Sequence, residues 1–130
     1  MKAAVRFYSR AGNTMGIAQS LADGAGVEAV SVDQPEAVLT EKVDVLFIGG
    51  ALYAYGLDKH LKAYLDSLSA EQVGKAVVFS ASWVSKHALE LIRKSLEEKQ
   101  IEVDKRTFYC KSKEVNAQKE SAWVFAKSFL

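Results

Sequence analysis

The chain is short of the residues that would staple, chelate or anchor it. It has a single cysteine, Cys110, so no disulfide can form within it, and a reducing compartment fits. Two isolated histidines, His60 and His87, and that one cysteine have no metal-ligand spacing. Pro35 is the only proline, and no stretch reads as a domain boundary, a repeat or a low-complexity segment. No apolar run approaches the ~18–20 residues of a membrane span. The opening "MKAAVRFYS" is too short for a signal peptide's apolar region and cleavage site. An excess of one charge is missing too. Lys and Arg number 17 against 16 Asp and Glu, for a formal net charge of +1. That excludes roles built on bulk electrostatics, such as non-specific nucleic-acid binding. The late basic residues Lys105, Arg106, Lys111 and Lys113 are interleaved with Glu102, Asp104 and Glu114, and read as a solvated strand and loop. The expectation is a soluble cytoplasmic protein with no nucleic-acid partner and no membrane insertion.

What is present is enough for one core. The 130 residues are 49% hydrophobic and 25% charged, as in an ordinary globular domain, and a single domain over 1–130 is expected. "AAVRFY" (Ala3–Tyr8) suits a strand buried on both faces. From Thr14, Met15, Ala18, Leu21 and Ala22 recur at helical spacing, fading at "ADGAG", where Gly24 and Gly26 act as stop signals. "VEAVSV" (Val27–Val32) reads as a second strand, and Pro35 then sits in a loop or the first turn of a short helix. "VDVLFIGG" (Val43–Gly50) is the clearest strand. Leu57, Leu61, Tyr64, Leu65 and Leu68 mark a helix with one apolar face, capped by Asp58. "KAVVFSAS" (Lys75–Ser82) is another buried strand. A helix follows from about Ser85 to Lys99, with Leu89, Ile92 and Leu96 inward. "EVDKRTFYC" (Glu102–Cys110) is more polar and alternating, so an edge strand is expected. Asn116 is a candidate cap for a last helix carrying Ala122, Phe125, Ala126 and Phe129.

Strands alternating with helices imply an α/β fold of three layers, a doubly wound, five-stranded parallel sheet with helices on both faces. In such sheets ligands bind outside the carboxyl ends of the strands. That rule selects three loops: Ser9–Thr14, Gly49–Gly56 and Ser80–Val84. The first, in "FYSRAGNTMG", feeds a helix N-terminus, where backbone N–H groups lack intrahelical partners and the dipole is positive. Gly12 permits close approach, and Ser9, Asn13 and Thr14 supply donors for an anion. Asn13 or Thr14 capping the helix, with Gly12 making the turn, explains the same residues.

Related phosphate motifs fail. No Lys follows Gly12, as the Walker A motif requires, and Gly12 stands alone where the dinucleotide fingerprint needs three glycines. A phosphocysteine enzyme would need a cysteine in this loop. A receiver domain would need acidic residues where Ser9-Arg10 and Gly49-Gly50 stand. If the loop serves a phosphate, these failures leave holding it, not transferring it. The other two loops, "GGALYAYG" and "SASWVS", bring Tyr53, Tyr55 and Trp83 beside it, which fits a flat ring held between aromatic side chains.

"SRAGNT" after an apolar first strand resembles the FMN phosphate loop of flavodoxins, usually [ST]-x-T-G-[NT]-T. "GGALYAYG" and "SASWV" lie where that family has its two isoalloxazine-contacting loops. The resemblance covers essentially the whole chain and, with no long insertion in the last strand, is to the short-chain class. It implies strand order 2-1-3-4-5 and one non-covalent FMN. It also implies a cofactor set of Ser9, Arg10, Ala11, Gly12, Asn13 and Thr14 at the phosphate, and Gly50, Ala51, Leu52, Tyr53 and Ala54 on one side of the ring. Ser80, Ala81, Ser82 and Trp83 complete the set, with Ser82 and Trp83 implied to contact the ring, or the ribityl chain, from the other side. The peptide after Gly50 would turn toward the flavin N5 on reduction, which small residues allow. No catalytic residue and no metal ligand is implied.

Two departures stand out. Ala11 replaces the usual Thr, with Arg10 beside it as a charged donor or a solvent-facing side chain. The charge is near neutral where carrier flavodoxins are strongly acidic. Three readings follow. The first is an FMN-binding electron-transfer protein working between redox partner proteins. The second is an FMN-dependent oxidoreductase acting on a quinone or similar small molecule, since "GALYAYG" also resembles the "GAS-x-x-YG" loop of menaquinone-dependent protoporphyrinogen oxidases. The third is a cofactor-free module of the same fold that binds a partner. His60 and His87 both begin helices and read as surface or capping residues. Cys110 reads as a partly buried, inert thiol.

Overall fold

Continuous β-branched and aromatic runs make the sheet, and the helices cover both of its faces. The computed structural model describes residues 1–10, 12–53, 56–82 and 86–130. Five strands form one parallel sheet: β1 (Ala3–Phe7), β2 (Ala29–Ser31), β3 (Val43–Gly49), β6 (Val73–Ser82) and β7 (Phe108–Lys111), in the order β2-β1-β3-β6-β7. Counting only these five, the order is the expected 2-1-3-4-5. A small antiparallel hairpin, β4 (Leu52–Tyr53) with β5 (Gly56–Leu57), lies between β3 and α2. The helices are α1 (Asn13–Ala25), α2 (Lys59–Ser67), α3 (His87–Glu98) and α4 (Lys119–Lys127). Among the described residues, no helix is long and apolar enough to cross a membrane.

Alternation along the central strands divides the core in two. Leu46, Ile48, Ala76 and Val78 face α2 and α3, meeting Leu61, Leu65, Ile92 and Leu96. Val45, Phe47, Val77 and Phe79 face the other way, onto Ile17 and Leu21 of α1 and Ala122 and Ala126 of α4. A strand buried on both faces needs no polar positions, which is why Val45–Ile48 of β3 and Ala76–Phe79 of β6 are continuous apolar runs. Each fully buried Phe, Leu or Ile contributes about 1.5–3 kcal/mol.

Several boundaries differ from the sequence reading. Gly26 does end α1: it sits at φ 73°, donating to the Ala22 and Asp23 carbonyls. Gly24, however, lies inside the helix, where the Trp123 carbonyl of α4 comes so close that a Cβ would stand 2.4 Å from it. It is a packing glycine, not a stop. The expected strand from Glu102 is interrupted: Val103 makes one isolated bridge to Ala76 before β7 begins at Phe108. Arg93 donates to the Asp104 carbonyl there and Arg106 to the Asp104 carboxylate, which holds the chain in a turn. Asn116 caps nothing. It starts a 3-10 turn, Asn116–Gln118, and α4 follows from Lys119. Pro35 opens a single 3-10 turn, Pro35–Ala37, the short helix the sequence allowed. Ser85 lies outside the described residues; α3 is flanked by Lys86 and begins at His87.

Candidate functional site

All five sheet strands run the same way, so their carboxyl ends share one edge. There the Tyr8 N–H donates to the Gly49 carbonyl (3.2 Å), drawing the loops after β1 and β3 together. In the first loop the Gly12 N–H donates to Ser9 Oγ (2.9 Å). This bond closes a turn that Gly12 completes at φ 88°, the left-handed region that glycine adopts without strain. A Cβ at Gly12 would meet no atom within 4 Å, so the backbone there faces open space.

Gly12 is also the residue that precedes the first turn of α1, and it has no side chain with which to cap the helix. Asn13 and Thr14 are already helical, so the capping explanation of these residues fails. No carboxylate lies in the first turn either. The positive end of a 13-residue helix therefore points into the loop without a side-chain counter-charge among the described residues. Its donor chemistry suits an anion. Thr14 itself is buried, its hydroxyl pointing at the Ala81 carbonyl at the end of β6 (3.5 Å), a long bond by ordinary standards.

The second loop is tied down from two sides. Ser80, fully buried in β6, donates to the Gly50 carbonyl at 2.6 Å. Tyr53 Oη accepts from the Arg10 N–H (3.3 Å), and the Arg10 guanidinium lies 4.1 Å from the Tyr53 ring centre. Arg10 Nη2 and Nε reach Asp58 Oδ2 at 2.6 and 3.1 Å. The other oxygen, Oδ1, accepts from the His60 backbone N–H (2.8 Å) and pairs with its Nδ1 (2.9 Å). His60 stacks on Tyr8, with ring centres 4.9 Å apart. Burial alone would raise the Asp58 carboxyl. The His60 hydrogen bonds and the Arg10 charge outweigh it and hold the group below the ordinary carboxylate value. Burial pushes the Tyr53 hydroxyl up. At the third loop, Ser82 Oγ and Tyr109 Oη are 3.2 Å apart, with Lys86 Nζ 5.5 Å from the Tyr109 ring.

Solved structures share this fold. The oxidised flavodoxin 1 of Bacillus cereus superposes with a TM-score of 0.80 at 22% identity, covering 99% of this chain and 97% of that one. The fold is that of the flavodoxins. Two-electron-reduced Megasphaera elsdenii flavodoxin gives a TM-score of 0.67 at 16% identity, covering 98% of this chain and 99% of that one. The rubredoxin oxygen:oxidoreductase of Desulfovibrio gigas gives 0.71 at 12% identity, but only 36% of that chain is covered against 98% of this one. No family model and no curated protein matches the chain.

Within this flavodoxin fold, Ser9, Arg10, Gly12, Asn13 and Thr14 gather at the head of α1, and Gly50, Ala51, Leu52 and Tyr53 lie beside them on the loop after β3. Ser80 and Ala81 are buried beneath the loops and act on them from below. Ser82 stands at the edge. Ala11, Ala54 and Trp83 lie outside the described residues, as does Tyr55. Four contributors escaped the sequence reading: Tyr8, Tyr109, His60 as a stacking partner, and Asp58 as an ion-pair anchor. Asp58 was legible only as the cap it also is. Nothing in the spacing links it to Arg10, 48 residues away. A surface groove of about 730 Å³ opens at the opposite end of the sheet among Met1, Lys2, Gly26, Pro35 and Val43, and none of the described residues of the three loops lines it.

Proposed function

We propose that the chain binds one FMN non-covalently and serves as an electron carrier between redox partner proteins. The observation that carries this reading is the uncapped N-terminus of α1. Ser9 and Gly12 shape the loop in front of it, and Tyr53 stands alongside. A phosphate donor set next to an aromatic wall, at the carboxyl edge of a doubly wound sheet, fits a phosphorylated flat ring. In this proposal the amides of Asn13 and Thr14 and the Ser9 hydroxyl hold the phosphate, while the Gly12 N–H keeps the loop closed on Ser9 Oγ. Ala51, Leu52 and Tyr53 bound one side of the ring, Ser80 fixes the Gly50 carbonyl, and Ser82 borders the other side. In the same proposal Trp83 contacts the ring. FMN, when bound, supplies reversible electron transfer, and the chain supplies position and electrostatics. The near-zero net charge fits weak long-range steering, with partner choice resting on short-range contacts.

Anaerobic reductive titration of the FMN-loaded chain, followed by mixing with ferric cytochrome c as a one-electron acceptor, tests the reading. The expected result is stoichiometric delivery of electrons, with NADPH-to-quinone turnover no faster than that of free FMN. A chain that takes up no FMN overturns the proposal. Quinone turnover well above free FMN would replace the carrier with an oxidoreductase.

A further inference from the structure

The side chain that stands in the phosphate loop and carries a full positive charge is committed elsewhere. Arg10 leaves the loop after β1 and pairs through two nitrogens with Asp58, a residue only 2% exposed. A buried carboxylate is tolerated when its oxygens are saturated, and losing one partner is strongly unfavourable. Asp58 meets that condition: Oδ2 takes Arg10 and Oδ1 takes His60. Withdrawing the guanidinium to reach a phosphate would break this set. Arg10 meanwhile holds Tyr53 at two points, by its N–H to the phenol oxygen and by its guanidinium over the ring. Tyr53 belongs to the short hairpin, and Asp58 follows that hairpin directly. One residue thus knits the phosphate loop, the aromatic loop and the start of α2 together.

We propose that Arg10, anchored by Asp58, is a positioning residue for Tyr53 and so for the ring half of the site, and that it contributes nothing specific to the phosphate. The inference rests on the FMN reading, and its test separates the two. Equilibrium constants for FMN and for riboflavin, which has the ring but no phosphate, are measured by flavin fluorescence for the wild type, Arg10→Ala, Asp58→Asn and the double variant. Asn retains the capping ability of Asp58 while losing its charge, so α2 keeps its start. Arg10→Ala is expected to weaken FMN and riboflavin by the same factor, about tenfold, leaving the ratio of the two affinities at the wild-type value. Asp58→Asn reproduces the loss with Arg10 still present, and the double variant loses no more than the worse single one.

A large loss of FMN affinity with riboflavin unchanged makes Arg10 a phosphate ligand and overturns the proposal. So does an Asp58→Asn variant that binds both flavins like the wild type. If the wild type binds neither flavin, the FMN reading fails on its own. The brace is then judged by the ring resonances of Tyr53 in the flavin-free chain. Matching shifts in Arg10→Ala and Asp58→Asn sustain it, and unmoved resonances refute it.

Discussion

Replacing Ser80 by Ala removes one oxygen from a place where water cannot substitute for it. The hydroxyl is fully buried in β6 and donates to the Gly50 carbonyl at 2.6 Å, the short end of hydrogen-bond lengths. Ala fits the same space with only a small void, so the packing change is minor. The hydrogen bond itself is worth about 1 kcal/mol net, and an acceptor left unpaired in the interior costs about 1–3 kcal/mol. The expected loss is therefore about 2 kcal/mol. With an unfolding entropy of about 0.27 kcal/mol/K for a chain of this length, the melting temperature should fall by about 7 °C. Urea unfolding followed by far-UV circular dichroism measures the free energy directly. The midpoint should drop with the slope unchanged, since the surface exposed on unfolding is the same. Ser128→Ala is the matched control: its hydroxyl also donates to a carbonyl, that of Phe125, but at an exposed site, and it should change stability by less than about 0.5 kcal/mol. A Ser80→Ala protein as stable as that control would refute the reasoning, because Gly50 would then not depend on Ser80.

Gly24→Ala sets two effects against each other. Ala normally gains about 1 kcal/mol over Gly in a helix. Here its Cβ would stand 2.4 Å from the Trp123 carbonyl, a backbone atom that cannot swing aside, and overpacking costs about 1–3 kcal/mol. Net destabilisation in urea unfolding is expected, and a stabilised variant would contradict the α1–α4 packing. Hydrogen bonds from Arg106 hold the Asp104 carboxyl down at about 2, despite the opposing effect of burial. Its stabilising contribution is complete above the ordinary value near 3.8 and is lost as pH falls toward 2. Arg106→Ala should cost about 1 kcal/mol at pH 7, with a gap to wild type that narrows as pH falls from about 4 to about 2. A gap independent of pH would assign the effect to the contact of Arg106 with Phe129. Burial, helped by Glu114, pushes the Cys110 thiol up to about 11. Iodoacetamide at pH 8 should therefore label the native chain at least about a hundredfold more slowly than the urea-unfolded chain. Equal rates would place Cys110 at the surface.

The sheet was legible because its signal is physical and local. The middles of Val43–Gly49 and Val73–Ser82 are buried on both faces, so Val45–Ile48 and Ala76–Phe79 had to be apolar. Gly12 marked the turn before α1, but whether Asn13 capped the helix could not be read from residue types. The structure decides it, because Gly12 occupies the flanking position and has no side chain to offer. The hairpin after β3 was hidden in a loop: two-residue strands leave no periodicity to detect. Gly24 misled for the opposite reason. A glycine near a helix end has the same appearance whether it ends the helix or admits a neighbour's backbone, and only the position of α4 separates the two. The Arg10–Asp58 pair and the stacking of Tyr8 on His60 are long-range encounters of side chains. They depend on the register of β1 against β3, which no local pattern reports.

In the proposed complex the N-terminus of α1 receives the phosphate of a bound FMN. Titrating FMN into the flavin-free wild type and into Asn13→Asp tests it most directly. A carboxylate at the first helical position favours the helix, by about 0.3–1 kcal/mol, yet repels a phosphate held there. One FMN per chain at micromolar affinity or tighter is expected for the wild type. Asn13→Asp should bind at least about tenfold more weakly, with a melting temperature equal to or above that of the wild type. No binding of FMN by the wild type at micromolar concentration, or undiminished binding by Asn13→Asp, would contradict it.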